Sequence, residues 1–211
     1  MVRDVHGGRR SAFLDQTGRT SVTGAIDSAH NPPQGLEQAA LVETIGYCIA
    51  DSPLGRMLVA TTAKGVCSIA FADADGELLQ ELRERFADAT LLEDPSATGM
   101  HVQAVLASLL QPAAAPHVPL DVRASPFQQR VWQALQAIPR GETRTYTQVA
   151  AGLGQPSAVR AVARACACNP VALVIPCHRV LGAGGTLTGY RWGLDRKRRL
   201  LALEQQQGSL I

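Results

Sequence analysis

The segment Val171-Ala172-Leu173-Val174-Ile175-Pro176-Cys177-His178-Arg179-Val180 holds the residue types most able to do covalent chemistry. Its apolar run reads as a buried strand. Proline does not continue a central strand, so the chain must turn at Pro176 and present Cys177 at the end of the run. Thiolate is the reactive form of cysteine, and a neighbouring imidazole and guanidinium favour it. Adjacency alone does not make Cys177 and His178 a catalytic pair, because their side chains must meet directly or through one water. On spacing, a structural cysteine and a nucleophile fit Cys177 equally well. The other cysteines are Cys48, Cys67, Cys166 and Cys168. An odd total at low density argues against a disulfide framework. Cys166 and Cys168 are not a CxxC pair, and on a helix they point to different faces.

Charge is divided unevenly along the chain. Residues 1–120 carry 8 basic and 14 acidic side chains, net −6, whereas residues 121–211 carry 12 basic and 4 acidic, net +8. The second part has the electrostatics of a polyanion binder, although a solvated basic face reads the same way. Arg160 and Arg164, four apart on an expected helix, share a face whose other members, Ser157, Ala161 and Cys168, are small. Small side chains let a helix backbone approach a nucleic-acid groove while the arginines meet phosphates or enter the base stack. For either arginine alone, a solvated surface position explains it as well.

The elements that must position these residues follow from periodicity and punctuation. The 211 residues are 46% hydrophobic and 18% charged, which excludes wholesale disorder and is enough to bury a core. No run approaches the ~20 apolar residues of a membrane span. The start of the chain lacks an apolar stretch, and a cytoplasmic location is the expectation. Residues 1–44 show no hydrophobic period and read as a flexible tail. Strands are expected at 45–50, 56–61 and 66–71, as a three-stranded antiparallel meander. Helices follow at 76–87 and 101–110. The Ala/Pro segment 112–119 reads as a linker, dividing residues 45–120 from 121–211. In the second part, Ser125-Pro126 opens a helix that Pro139-Arg140-Gly141 ends. Short helices at 146–153 and 157–168, joined through Gly154, have the helix-turn-helix pattern. Helix pairs of this shape also occur in proteins that bind no DNA.

Pro176-Cys177-His178-Arg179-Val180 resembles the active-site signature of the O6-alkylguanine-DNA alkyltransferases. The resemblance extends through Ser125-Pro126-Phe127-Gln128, Trp132, Ile138-Pro139, Gly141, Thr145-Tyr146, Val149-Ala150 and Arg160-Ala161-Val162. It continues through Asn169-Pro170, Gly189-Tyr190-Arg191-Trp192-Gly193 and Leu200-Leu201-Glu204. Asp51-Ser52-Pro53-Leu54-Gly55 is similar to the family's opening hairpin. The match spans about Ile45 to Glu204 and most resembles the C-terminal part of the bacterial Ada members.

The resemblance implies an α/β fold: a small ribonuclease-H-like N-terminal domain with a three-stranded antiparallel sheet, then a mainly helical, winged-helix-like C-terminal domain with a helix-turn-helix. It implies a monomer acting on double-stranded DNA that carries O6-alkylguanine, and O4-methylthymine as well, with no cofactor, no metal and no membrane. Cys177 would be the permanent alkyl acceptor. His178 would act through a bound water as its base, and Glu204 would fix the imidazole tautomer. Tyr146 would donate toward the guanine ring. Arg160 would fill the gap left by a flipped base, with Ser157, Ala161, Arg164 and Thr145 against the DNA. Asn169 would hold the turn into the active-site segment, with Pro176, Arg179, Val180, Tyr190 and Arg191 shaping the pocket.

Some departures bear on this picture. Glu43, Thr62 and Cys67 stand where some members place zinc ligands, so no zinc site is expected. Arg164 occupies a position that is small in several relatives, and Arg191 stands where some relatives place a small hydroxyl, although bacterial relatives share the arginine. A non-catalytic lesion-binding module, a thiol redox sensor pairing Cys177 with Cys166 or Cys168, and a Cys/His hydrolase are the competing classes. The intact cysteine weighs against the first, and the lack of an oxyanion-hole motif against the last.

Overall fold

The computed structural model describes residues 43–110 and 118–208; the expected tail, apart from its last two residues, and most of the expected linker lie outside the described residues. Strand β1 (Thr44–Ser52) turns through Pro53-Leu54 into β2 (Gly55–Thr62), which returns as β3 (Gly65–Ala72). The two pairings are antiparallel, with Ser52 opposite Gly55 and Thr62 opposite Gly65. Helix α1 (Asp75–Arg85) follows, with acidic residues in its first turn and arginines in its last, as the helix dipole favours.

The sheet departs from the expected three-stranded meander. A fourth strand, β4 (Thr90–Glu93), pairs parallel to β1, so the sheet is mixed with order β3-β2-β1-β4. Four residues are too few to display a period, and the pairing is specified by β1 rather than by β4 itself. Helix α2 (Pro95–Leu110) begins well before the expected residue 101. Asp94 starts it: its Oδ1 accepts from the backbone N–H of Ser96 and of Ala97. An aspartate followed by proline is an N-cap and N1 pair.

Strand β3 is buried along its whole length because its outer edge is covered by the second half of the chain. Val66 N–H donates to Pro119 O at 2.8 Å, and Ile69 N–H donates to Pro170 O at 2.9 Å. Gly65 is required here, since a Cβ would lie 2.5 Å from the carbonyl oxygen of Pro119 and its φ is +150°. Isolated bridges Val66–Leu120 and Ile69–Val171 complete the seam.

Helix α3 (Pro126–Gln136) starts at a capping box in which Ser125 accepts from Gln128 N–H and the Gln128 side chain accepts from Ser125 N–H. Its Trp132 donates through Nε1 to Ala165 O at 2.9 Å, fixing α3 against the helix beyond. A short parallel pair, β5 (Arg144–Thr145) with β6 (Val180–Leu181), adds two strands to those expected from the sequence. Helix α4 (Tyr146–Gly152) is capped by a second box, Thr145 with Gln148. Gly154, at φ +70°, turns the chain into one 3-10 turn, Pro156–Ala158, and then α5 (Val159–Ala167). The expected helix therefore begins two residues later than Ser157, because proline and the tight turn hold its first residues in the narrower helix. The final helix, α6 (Leu194–Gly208), packs against the segment that contains Cys177. Among the described residues no helix is long and apolar enough to cross a membrane.

Replacing Ser125 by alanine removes one half of the box that opens α3. Urea unfolding should show a loss of about 1 kcal/mol.

Candidate active site

The apolar run before Cys177 is not a strand. After the single bridge at Val171 the backbone turns, with Leu173 at φ +70°, a left-handed conformation uncommon for a residue with a Cβ. Asn169 holds this turn from inside and is fully buried. Its Oδ1 accepts from Val171 N–H at 3.0 Å, and its Nδ2 donates to Ile175 O at 2.7 Å and to Cys177 Sγ at 3.3 Å. The run is apolar because it is buried, and its geometry is set by this one amide rather than by sheet pairing. Sequence alone could not separate the two, because a short apolar run has no period.

Pro176 then leads into one 3-10 turn, Cys177–Arg179. The Cys177 thiol is buried, and its hydrogen-bond partner is Asn169, not His178. Burial raises its pKa, opposed by the Asn169 bond and by the charge of Lys197. His178 is buried beside it. Its Nε2 lies 3.0 Å from Glu204 Oε1, and its Nδ1 has no hydrogen-bond partner. A carboxylate at Nε2 puts the imidazole proton there and leaves Nδ1 with a free lone pair. Burial lowers the His178 pKa, and the Glu204 carboxylate acts against that shift.

Glu204 gathers the groups around it. Arg179 binds it in a fork, with Nη2 at 2.8 Å from Oε1 and Nε at 3.0 Å from Oε2, while Nη1 reaches Ile138 O at 2.7 Å. Gly141 N–H donates to Oε2 at 3.4 Å. Burial opposes the carboxylate charge, but the bonds from His178 and Arg179 outweigh it and hold the pKa at about 2.

Lys197 is a site residue that the sequence reading did not single out. It is 0% exposed, and its ammonium donates to Val180 O at 2.6 Å, Thr188 O at 2.9 Å and Gly189 O at 3.4 Å. It ties the loop 182–193 to α6 and brings a positive charge toward Cys177. The available signal was a lysine three residues before Leu200 and seven before Glu204, on the buried stripe of the last helix.

A cavity of about 430 Å³ opens onto Cys177, lined also by Tyr146, Ala163, Cys166, Tyr190 and Arg191. Burial raises the Tyr146 pKa, so its phenol stays protonated. Burial also pushes the Cys166 thiol up to about 12. Helix α5 serves this cavity with Ala163, Cys166 and Ala167, and it leaves Arg160 and Arg164 exposed. Those two arginines make no ion pair or hydrogen bond with other described residues. Ser157 is exposed in the preceding 3-10 turn, Ala161 is half-buried, and the Thr145 hydroxyl is engaged as the α4 cap. Val180 is buried, and its carbonyl is one of the Lys197 acceptors.

Glu43, Thr62 and Cys67 line a separate cavity of about 150 Å³ together with Asp121 and Arg123. There Thr62 Oγ1 donates to Asp121 at 2.6 Å and Arg123 pairs with Glu43 at 3.1 Å. Among the described residues, no group of three or more His, Cys, Asp or Glu side chains could hold a metal ion.

The chain is similar to known proteins. Residues 126–206 match the family described as 6-O-methylguanine DNA methyltransferase, DNA binding domain. The bifunctional transcriptional activator/DNA repair enzyme Ada of Escherichia coli is 48% identical over 162 residues, covering 77% of this chain and 46% of that protein. A methylated-DNA–protein-cysteine methyltransferase of Mycolicibacterium paratuberculosis is 41% identical over 162 residues, covering 77% of this chain and 93% of its own length. The crystal structure of Mycobacterium tuberculosis OGT in complex with DNA is 36% identical and aligns with a TM-score of 0.63, over 77% of this chain and 94% of that one. The chain belongs to the methylated-DNA–protein-cysteine methyltransferase family. It spans about half the length of the Ada relatives.

The depressed Glu204 pKa fixes an acid limit. The folded value of about 2 lies below the ordinary 4.5, so its stabilisation is complete above pH 4.5 and is lost as pH falls toward 2. Urea unfolding of the wild type should lose about 3 kcal/mol over that range from this group, and Glu204→Gln should remove that part of the pH dependence.

Proposed function

We propose that this chain repairs double-stranded DNA by direct reversal, taking the alkyl group of O6-alkylguanine irreversibly onto Cys177, once per molecule. The observation that carries the reading is the Cys177 thiol at a cavity beside a buried His178–Glu204–Arg179 network, in a chain of this family. We read the α/β architecture as a ribonuclease-H-like domain at 45–120 and a winged-helix-like domain at 121–211, after a tail at 1–44. In this reading, α4 and α5 form the helix-turn-helix, and the protein is a cytoplasmic monomer. O4-methylthymine is a second substrate in the same pocket.

The chemistry follows from the groups present. An alkyl group on O6 is shielded inside the base stack, so the nucleotide must be flipped into the cavity. In this reading exposed Arg160 occupies the vacated stack, while Arg164 adds a phosphate contact with Ser157, Ala161 and Thr145 close to the backbone. His178 Nδ1 accepts the thiol proton through one water, and the Glu204 carboxylate stabilises the imidazolium that forms. The Cys177 sulfur then attacks the alkyl carbon in line with its bond to O6. A carbon–sulfur bond forms, the carbon–oxygen bond breaks, and its electron pair passes to the guanine. The protonated Tyr146 phenol donates toward the guanine ring and stabilises that developing charge. The thioether that results is stable and leaves Cys177 spent. Nothing in the step requires a cofactor.

Intact and peptide mass spectrometry after incubation with a duplex holding one O6-methylguanine should show one added methyl, on Cys177, and never two. An unchanged mass in folded, reduced protein would overturn the reading. Cys177→Ala should abolish the mass gain yet retain binding to the alkylated duplex. Arg160→Ala should slow reaction with duplex far more than reaction with free O6-alkylguanine bases, and equal slowing would exclude a role in filling the stack.

A further inference from the structure

We propose that Glu81, on helix α1, determines which alkyl groups the cavity admits by clasping Arg191 on the cavity wall; this rests on the reading of that cavity as the alkyl-accepting site. Arg191 Nε donates to Glu81 Oε1 at 3.0 Å, and its Nη2 lies 2.9 Å from the same oxygen. The two side chains are 32% and 24% exposed, so the pair is partly screened by solvent. The two residues are 110 apart in sequence. Glu81 lies outside the 126–206 segment that the family model matches.

The wall is held at three places. Lys197 fixes its near end through the carbonyls of Thr188 and Gly189. Arg196 fixes its far end through Trp192 O at 3.0 Å. Between them Trp192 is buried in the core and Tyr190 meets it edge-on, centroids 5.2 Å apart. Arg191 adds the polar tie to α1. Arg191 lies between two glycines of positive φ, Gly189 at +41° and Gly193 at +94°, so its side chain is positioned by its partners more than by its neighbours in the chain. A larger alkyl group fills more of the cavity than a methyl group does, and its fit depends more on where that side chain is held.

A second arginine sharpens the effect. Arg85 Nη2 lies 3.7 Å from the same Glu81 oxygen, so one carboxylate separates two guanidinium groups. Burial lowers the Arg85 pKa, and the neighbouring Arg191 charge adds to that shift. Removing the carboxylate therefore leaves two like charges facing each other and drives the wall away from α1, rather than merely releasing it.

The test compares single-turnover transfer from one duplex sequence carrying either O6-methylguanine or O6-benzylguanine. The chains are wild type, Glu81→Ala and Glu81→Gln. The benzyl-to-methyl rate ratio should rise at least fivefold in Glu81→Ala, and by less in Glu81→Gln, which keeps an oxygen acceptor for Arg191. General loosening of the fold would lower both rates together and leave the ratio alone. A ratio unchanged or lowered in Glu81→Ala, while the wild type transfers methyl normally, overturns the clasp. Absence of methyl transfer by the wild type overturns the underlying reading instead, and the clasp with it.

Discussion

A carboxylate buried to 5% exposure is sustainable only if its charge is met, and Glu204 is the constraint around which the site is organised. Its oxygens take the His178 ring, the forked Arg179 guanidinium and the Gly141 amide. The adjacent His178 and Arg179 come from one part of the chain and Gly141 from another, so satisfying one charge fixes the segment after α3, the 3-10 turn of Cys177 and the last helix relative to one another. The orientation of the imidazole, and hence its free Nδ1, is a by-product of that neutralisation.

Helix α6 carries a second buried charge on the same stripe. Lys197, Leu200 and Glu204 follow at spacings of three and four, placing a cation, an apolar contact and an anion along one inward face. At 1.5 Å rise per residue the two charges are separated by about 10 Å. The cation answers to backbone carbonyls of the cavity wall, and the anion answers to the groups behind the thiol. One helix thus polarises the site from two sides without placing its own side chains on the sulfur.

Much of this was legible in the sequence, and the exceptions have physical reasons. Cys177, His178, Glu204 and Tyr146 were recognisable through a motif resemblance, and α3, α4 and the β1–β2 hairpin through caps and turn residues that act locally. Strand β4 was not, since a four-residue parallel strand is chosen by its neighbour. The run 171–175 was misread because burial imposes apolarity on a turn as readily as on a strand. Lys197 and Glu81 escaped notice because their roles lie in what they touch, three carbonyls in one case and Arg191 in the other, and no local spacing encodes such partners.

The seam between the sheet and the second half of the chain has a consequence for how the molecule forms. Ile69 meets Pro170, Arg191 meets Glu81, and Arg196 reaches Leu54, across separations of 101, 110 and 142 residues. Contacts that distant cannot form until large loops have closed, whereas the capped helices need only their own neighbours. The covered edge of β3 and the Arg191 side of the cavity wall therefore depend on closing the longest loops of the fold. A chain in which those loops stay open keeps its locally capped helices but lacks the cover over β3 and the tie between Arg191 and α1.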